Sequence, residues 1–131
     1  MKLLLDTHIL LWSLLDPGQL SKRVADELEN PSNEIWLSPI SAWEIAILSE
    51  KGRISLDADP ATWLRGVLKK IPLKEAVINH EIAIQSRMLN LPHQDPADRF
   101  LAATSFVYGL TLVTADKRLM ILPHLSILPN E

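Results

Sequence analysis

Met1-Lys-Leu-Leu-Leu-Asp6-Thr-His-Ile-Leu-Leu-Trp12 is the stretch of sequence that decides the fold. Lys2–Leu5 predicts a short buried strand, and residues 9–15 predict the helix that follows it. Asp6 lies between them, at the carboxyl end of the strand, where ligands bind in open α/β sheets. A carboxylate among apolar residues is costly to desolvate unless it has a partner. Asp6 is therefore either a ligand-binding residue or, like Thr7, a cap of the helix.

Composition limits the class of protein. The chain has 131 residues, which we interpret as one domain, residues 1–131, with a substantial core. Its 47% hydrophobic and 22% charged residues are typical of a soluble globular protein. It has no cysteine, which excludes disulfides, thiolate metal sites and a cysteine nucleophile. The net charge of −3 gives no overall attraction to polyanions, so nucleic acid would require a local basic patch or bound cations.

The apolar N-terminus could be mistaken for a secretory signal. Asp6 and His8 interrupt the apolar run, and Asp16-Pro17-Gly18 ends it without a small-residue cleavage site. No stretch approaches the roughly 20 apolar residues that a membrane span needs. We expect a cytoplasmic protein with no membrane partner.

Strand and helix patterns alternate along the rest of the chain. Ser38-Pro39, Asp59-Pro60 and Asp95-Pro96 are typical helix starts, and Gly52 and Gly109 are typical helix ends. The predicted helices span residues 21–29, 38–51, 61–71, 80–89 and 97–108, with a short helical turn after Asp116. The predicted strands span Glu34–Leu37 and residues 73–78, 110–114 and 125–128. This alternation predicts an α/β fold with a parallel sheet flanked by helices.

Glu44 lies within the helix predicted over residues 38–51, well past its first turn, so capping does not explain it. Its helical neighbours are mostly apolar, and a glutamate on an apolar stripe rarely lacks a partner. The structural alternative is a salt bridge with an arginine such as Arg99. Isolated buried ion pairs add little stability, which favours a functional role for Glu44.

Two further acids occupy helix starts. Asp98 follows Asp95 by three residues, which is the spacing of a capping box, but it also lies on a small-residue helix face that could approach the sheet closely. Asp116 comes just beyond the carboxyl end of the strand predicted over residues 110–114, and its structural alternative is again a helix cap. Neither residue indicates a site by itself.

Together, these acids indicate a metal site. Asp6, Glu44, Asp98 and Asp116 are all predicted near the carboxyl edge of the sheet, where like charges repel and raise one another's pKa. A bound divalent cation would offset that repulsion. Oxygen ligands without cysteine favour Mg²⁺, or Mn²⁺ as a substitute, over zinc. The four histidines have no paired metal spacing and are more typical of surface or cap positions: His8, His80, His93 and His124.

Four blocks of the sequence resemble the PIN-domain family, and within it the VapC-type toxins of bacterial toxin–antitoxin pairs. The blocks are Leu4-Leu-Asp6-Thr-His-Ile-Leu-Leu-Trp12, Ser38-Pro-Ile-Ser41-Ala-Trp-Glu44-Ile, Asp95-Pro-Ala-Asp98-Arg-Phe-Leu-Ala-Ala and Leu112-Val-Thr114-Ala-Asp116. The resemblance covers the whole chain in order, and four blocks in sequence are highly specific. It implies a three-layer α/β/α fold with a parallel five-stranded sheet in the order 3-2-1-4-5. It also implies a Mg²⁺-dependent endoribonuclease with RNA as substrate, an inhibitory antitoxin partner and a homodimer.

The resemblance also implies roles for individual residues. Asp6, Glu44, Asp98 and Asp116 match the acidic quartet that binds metal and carries out catalysis in the family. Thr114 matches a hydroxyl that often supports the site, and Thr7 stands beside the first acid. Asp95 is an additional acid, which we interpret as the helix cap with a second role left open. His8 replaces the small residue of many relatives, and we expect a structural or rim position for it.

The chemistry implied for this site is metal-assisted hydrolysis. Mg²⁺ would bind the scissile phosphate, activate a water and stabilise the leaving 3′ oxygen, giving a 5′-phosphate and a 3′-hydroxyl. Most basic residues should be solvated surface charges, although some could contact RNA. Those candidates are Lys51, Arg53, Arg65, Lys69, Lys70, Arg99, Lys117 and Arg118. Arg99 is the exception, predicted to pair with Asp98 and organise the carboxylates.

Two alternatives come from other classes of protein. A phosphatase of the haloacid-dehalogenase type also begins with a strand ending in Asp, but it needs a second aspartate at position 8, which is His8 here. A binding module with an inert acidic site would act only through its partner.

The tryptophans Trp12, Trp36, Trp43 and Trp63 should mostly belong to the core. The helices after Asp16 and around residues 45–48 carry apolar residues on which an antitoxin segment could dock.

Overall fold

The predicted order of strands and helices is confirmed in the computed structural model, which describes residues 1–92 and 94–131. The strands are β1 (Lys2–Leu5), β2 (Glu34–Leu37), β3 (Leu73–Glu75), β4 (Thr111–Thr114) and β5 (Ser126–Pro129). The helices are α1 (Thr7–Leu15), α2 (Lys22–Glu29), α3 (Pro39–Glu50), α4 (Pro60–Lys70), α5 (His80–Met88), α6 (Pro96–Tyr108) and α7 (Lys117–Met120). Among the described residues, no helix is long and apolar enough to cross a membrane.

The sheet is parallel throughout and has the predicted strand order, β3-β2-β1-β4-β5. The central strand β1 places Leu4 between Trp36 of β2 and Leu112 of β4. The chain first builds outward from β1 through β2 and β3, and then returns to the other side of β1 for β4 and β5. The carboxyl ends of β1 and β4 therefore form a switch point, where open α/β sheets bind ligands.

The core lies on both faces of the sheet. Side chains alternate between faces along a strand, so Leu3 and Leu5 pack into one cluster and Leu4 packs into the other. The first cluster contains residues of α1 to α4, including Ile9, and the second contains residues of α6, including Leu101. Burial on both faces explains why the central strand is a continuous run of leucine. The result is the expected three-layer α/β/α arrangement.

Side chains cap the starts of the described helices other than α1, and Ser38, Asp59, Asp95 and Asp116 are caps that the sequence indicated. Ser38 accepts a hydrogen bond from the backbone nitrogen of Ile40, and Asp95 accepts one from that of Asp98. Ser21, Asp59, Asn79 and Asp116 cap α2, α4, α5 and α7 in the same way. Gly109 ends α6 with a φ of 66°, a left-handed conformation that glycine adopts without a Cβ penalty.

Several element boundaries differ from those predicted, most of them by one residue. Helix α1 begins at Thr7 rather than residue 9, and β5 ends one residue later than expected. Strand β3 ends at Glu75 rather than residue 78. The backbone nitrogen of Ala76 makes a last bond to the carbonyl of Leu37, and the carbonyl of Val77 then accepts the Tyr108 hydroxyl at 2.7 Å. The chain therefore leaves the sheet toward α6.

Candidate active site

An acidic cleft of about 360 Å³ opens at the carboxyl ends of β1 and β4. The four acids that the sequence singled out line it together, although they come from four separate segments of the chain. The lining residues are Asp6, His8, Trp12, Glu44, Asp95, Asp98, Ala115, Asp116 and Arg118. The fold therefore brings five carboxylates and one arginine to one opening.

Asp6 is the most deeply placed of these carboxylates, with 8% of its surface exposed. Burial raises its pKa, the hydrogen bond from Thr114 and the charge of His8 lower it, and Asp116 raises it. The Thr114 hydroxyl donates to Asp6 Oδ2 over 2.7 Å. Asp6 occupies the N-cap position of α1, but its side chain makes no capping hydrogen bond, so capping does not account for this acid.

Glu44 reaches the cleft from the second turn of α3. Burial raises the pKa of its carboxyl, a hydrogen bond from Thr7 lowers it, and Asp6 and Asp95 raise it. The helix that carries Glu44 packs closely on α1, because the buried hydroxyls of Thr7 and Ser41 are hydrogen-bonded over 3.0 Å. Thr7 thus helps to position the first two acids of the cleft.

Asp98 lies in the first turn of α6, where Asp95 caps its backbone nitrogen at 3.2 Å. The pKa of Asp98 is raised to about 7. Burial is the largest cause, and the charges of Asp6, Asp95, Asp116 and Glu44 contribute the rest of the increase. The neighbouring carboxylates of the cleft therefore add to the effect of burial on Asp98. A group with a pKa near 7 in a cleft is typical of functional sites.

Asp116 caps α7 and is also held by the side chain of Arg118. Asp116 Oδ1 accepts from Arg118 Nε at 3.1 Å, and Oδ2 accepts from Arg118 Nη2 at 2.9 Å. The same Nη2 lies 3.9 Å from Asp98 Oδ2. Thr114 also holds the backbone of Asp116 in place, because its hydroxyl accepts a hydrogen bond from the backbone nitrogen of Asp116 at 3.0 Å. Arg118 thus contacts two acids of the cleft.

Arg99 does not take the position that the sequence predicted beside Asp98. Its buried guanidinium donates from Nε to the carbonyl of Ser86 at 2.7 Å and from Nη2 to that of Leu89 at 2.9 Å. Adjacent residues on a helix point about 100° apart, so Asp98 faces the cleft while Arg99 faces the end of α5. Arg118 instead forms the ion pair described for Asp98. The salt bridge suggested between Arg99 and Glu44 gains no support from this orientation.

Comparison with known protein families gives a match over most of the chain. The model of the PIN domain matches residues 3–124. The chain belongs to the PIN-domain family.

This PIN domain is similar in sequence to a ribonuclease and similar in fold to a chain of a solved toxin–antitoxin complex. The chain is 32% identical over 119 residues to Ribonuclease VapC22 of Mycobacterium tuberculosis, with 88% of each chain covered. Its fold resembles that of VapBC2 from Rickettsia felis bound to a promoter DNA fragment, with a TM-score of 0.69, 16% identity and 98% of each chain covered. It also resembles a toxin–antitoxin complex from Klebsiella pneumoniae, with a TM-score of 0.67, 22% identity, and 98% of this chain and 97% of that chain covered.

The rim of the cleft in this PIN domain includes a residue that sequence reasoning missed. Trp12 lines the opening beside His8, with their ring centroids 5.8 Å apart. The i, i+4 spacing of these residues on α1 was the signal that could have found Trp12. His8 occupies the expected rim position. His80 and His124 are exposed outside the cleft, and His93 lies outside the described residues.

The donor chemistry of this cleft fits a hard divalent cation. All its acidic side chains are oxygen donors, and the pKa values of Asp6, Glu44 and Asp98 are raised, mainly by burial and further by neighbouring carboxylates. Within residues 1–92 and 94–131, no three acidic or histidine side chains lie close enough together to enclose one ion. Mg²⁺ commonly keeps several waters and uses only one or two carboxylates, so it does not need such a cage.

Proposed function

We propose that this chain is a Mg²⁺-dependent endoribonuclease toxin of the VapC type, held inactive by an antitoxin protein. One observation carries the proposal: a single cleft at the sheet's switch point gathers all four acids that match the PIN-domain quartet. Similarity to Ribonuclease VapC22 over 88% of the chain supports RNA as the substrate class.

Asp6, Glu44, Asp98 and Asp116 would hold the ion, one or two of them directly and the others through waters bound to it, and Mn²⁺ should substitute for Mg²⁺. When bound, the ion supplies positive charge that activates water and stabilises the leaving oxygen of a phosphodiester. The expected products are a 5′-phosphate and a 3′-hydroxyl. Because the cation neutralises the cleft, a chain with a net charge of −3 can still bind a polyanion there.

The chain's own residues prepare the cleft for this chemistry. Thr114 holds Asp6 through its donated hydrogen bond and Asp116 through its accepted one. With a pKa of about 7, Asp98 is partly protonated near neutral pH in the absence of a cation and must lose that proton to become a fully charged ligand. Arg118 balances Asp116 and is exposed enough to turn toward an RNA phosphate. His8 and Trp12 border the path by which substrate enters.

An antitoxin should bind away from the acids as well as over them. The structure places a second groove, of about 370 Å³, between α1 and α4, and it carries exposed apolar surface at Leu14. Trp63 and Val67 line the same groove. An amphipathic segment laid into such a groove is a common recognition mode. The solved toxin–antitoxin complexes with this fold support a protein partner, and we extend the proposal to a cytoplasmic homodimer.

The test of the proposed function is cleavage by purified protein. Labelled single-stranded RNA should be cut with Mn²⁺ or Mg²⁺ and remain intact with EDTA. Asp98→Asn, purified in parallel, controls for contaminating nucleases and should lose activity by orders of magnitude, because catalysis requires an accurately placed ion. Product ends are identified by their sensitivity to phosphatase and by ligation.

The same preparation distinguishes the two alternative functions. A phosphatase of the haloacid-dehalogenase type would hydrolyse a small phosphate-ester dye and leave RNA intact. An inert binding module would do neither with either metal, while still binding its antitoxin. Cleavage of RNA that is equal in wild type and Asp98→Asn would also contradict the proposal, since it would place the activity outside the cleft.

A further inference from the structure

A shallow groove continues from the acidic cleft along α3. Its volume is about 260 Å³, slightly below the range of about 300–1,000 Å³ typical of pockets for drug-sized ligands. It shares Glu44 and Asp95 with the acidic cleft, so the two openings form one continuous path. The other residues that line it are Trp43, Ile47, Leu48, Lys51, Arg53, Pro96 and Ala97.

Trp43 is the unusual residue of this groove. The other three tryptophans pack against the core, whereas 52% of the surface of Trp43 is exposed. Single exposed apolar residues are common and need no explanation by themselves. The position of Trp43 is more informative, because it directly precedes Glu44 on α3 and lines the groove that adjoins the acidic cleft. An indole there offers a flat apolar face beside the acids.

Two cations border the same groove. Lys51 caps the C-terminal end of α3, where a positive charge complements the helix dipole, but Arg53 lies beyond the helix, where this explanation does not apply. Both side chains are exposed. The ion pairs described within residues 1–92 and 94–131 do not include either of them. An exposed aromatic face with two adjacent cations is the combination that single-stranded nucleic-acid sites use.

We propose that Trp43 is a stacking platform for one nucleobase of single-stranded RNA, next to the phosphate that is cleaved. Lys51 and Arg53 contact the phosphates that follow along the groove. This inference rests on the proposed ribonuclease function and assigns the path of its substrate. Because a base in a duplex is already stacked and paired, the platform selects single-stranded or looped RNA over a continuous helix.

The experiment measures binding and cleavage separately for variants of Trp43. Binding of a fluorescently labelled single-stranded RNA is followed by anisotropy in the Asp98→Asn background with Mn²⁺. Trp43→Leu should weaken binding roughly 5- to 150-fold, whereas Trp43→Phe, which keeps an aromatic face, should stay closer to wild type. The matched control is Leu68→Ala, because Leu68 is also 52% exposed but lies on α4, outside both openings.

The cations give a second, independent readout. Replacing both Lys51 and Arg53 with Gln should reduce the slope of log affinity against log salt by about 0.7 for each phosphate that the variant no longer neutralises. In the cleavage assay, Trp43→Leu should raise KM with a smaller effect on kcat. Melting temperatures of all variants should match wild type, since these side chains are exposed.

The outcomes separate this inference from the proposed function. If wild type cleaves RNA and Trp43→Leu binds and cleaves as wild type does, the platform is wrong while the ribonuclease stands. If wild type binds RNA in a Trp43-dependent way but never cleaves it, the platform stands and the ribonuclease is wrong. If Trp43→Leu leaves RNA binding intact and abolishes binding of the co-expressed antitoxin, the groove is a protein interface and the proposal is overturned.

Discussion

Thr114 Oγ1 donates a hydrogen bond to Asp6 Oδ2 over 2.7 Å, joining the ends of two neighbouring strands whose residues are 108 positions apart in sequence. The same oxygen accepts the backbone nitrogen of Asp116 at 3.0 Å. One buried hydroxyl therefore positions the first and last acids of the cleft. It does so at the switch point of the sheet, where backbone positions are fixed by strand pairing on both sides.

Replacing Thr114 tests this relationship. Thr114→Val keeps the shape of the side chain but removes the hydrogen bond that the hydroxyl donates to the buried Asp6 carboxylate and the one that it accepts from the Asp116 amide, so we expect a loss of about 1–3 kcal/mol in unfolding free energy. Thr111→Val is the matched control on the same strand, because Thr111 makes an exposed contact with Ser126, and it should change stability by less than about 0.5 kcal/mol. Urea unfolding without metal provides the measurement. Equal effects of the two substitutions would contradict the role given to Thr114.

The raised pKa of Asp98 predicts how stability depends on pH. With a folded pKa of about 7 and an ordinary value of 3.8, the folded protein keeps a proton that the unfolded chain releases between those values. Unfolding free energy in EDTA should therefore fall as pH rises from about 4 to 7, and the raised pKa values of Asp6 and Glu44 act in the same direction.

Asp98→Asn should flatten that pH dependence and leave the protein more stable than wild type at pH 8. The control is Asp57→Asn, an exposed acid outside the cleft, which should retain the wild-type dependence. Thermal melting across the pH range in EDTA makes the comparison. A wild-type stability that rises steadily between pH 4 and 7 would show that the crowded carboxylates are not the dominant titrating groups.

Arg118 should compete with a cation for Asp116, because its guanidinium contacts both carboxylate oxygens. Arg118→Gln should therefore bind Mn²⁺ more tightly than wild type, by roughly two- to fivefold for an exposed contact. Lys117→Gln removes the same charge from the neighbouring residue and controls for net charge. Mn²⁺ titration monitored by electron paramagnetic resonance compares the three proteins. If Lys117→Gln has the same effect, the contact with Asp116 has no specific influence on the cation.

Local sequence patterns were sufficient to predict many of the strands and helix starts of this fold. The apolar run of Leu3 to Leu5, followed by Asp6, predicted the central strand and the start of the site, because burial on both faces requires such a run. Proline and cap signals such as Asp59-Pro60 predicted helix starts that the structure confirms. Strand β3 was predicted too long, because its end depends on the distant Tyr108 hydroxyl.

The partners of charged side chains were harder to predict than the acids themselves. Arg99 follows Asp98 in sequence, yet the helix turns it toward the carbonyls at the end of α5. Arg118 was one basic residue among several, and its contact with Asp116 depends on the geometry of the short helix α7. Most of the tryptophans were expected to belong to the core, but Trp43 lies on the exposed side of α3. Such positions follow from packing between elements, which a single sequence does not specify.

Mn²⁺ binding to wild type and to Glu44→Gln, measured by calorimetry on metal-free protein, tests the metal site most directly. We expect saturable binding by wild type in the millimolar range or tighter, and at least tenfold weaker binding by Glu44→Gln, since the substitution removes a charged oxygen ligand. Glu44→Gln should stay folded and be at least as stable without metal, because a raised-pKa carboxyl has been neutralised. Glu50→Gln, on the exposed end of the same helix, should bind as wild type does. The absence of saturable binding by wild type, or equal binding by Glu44→Gln, would contradict the account.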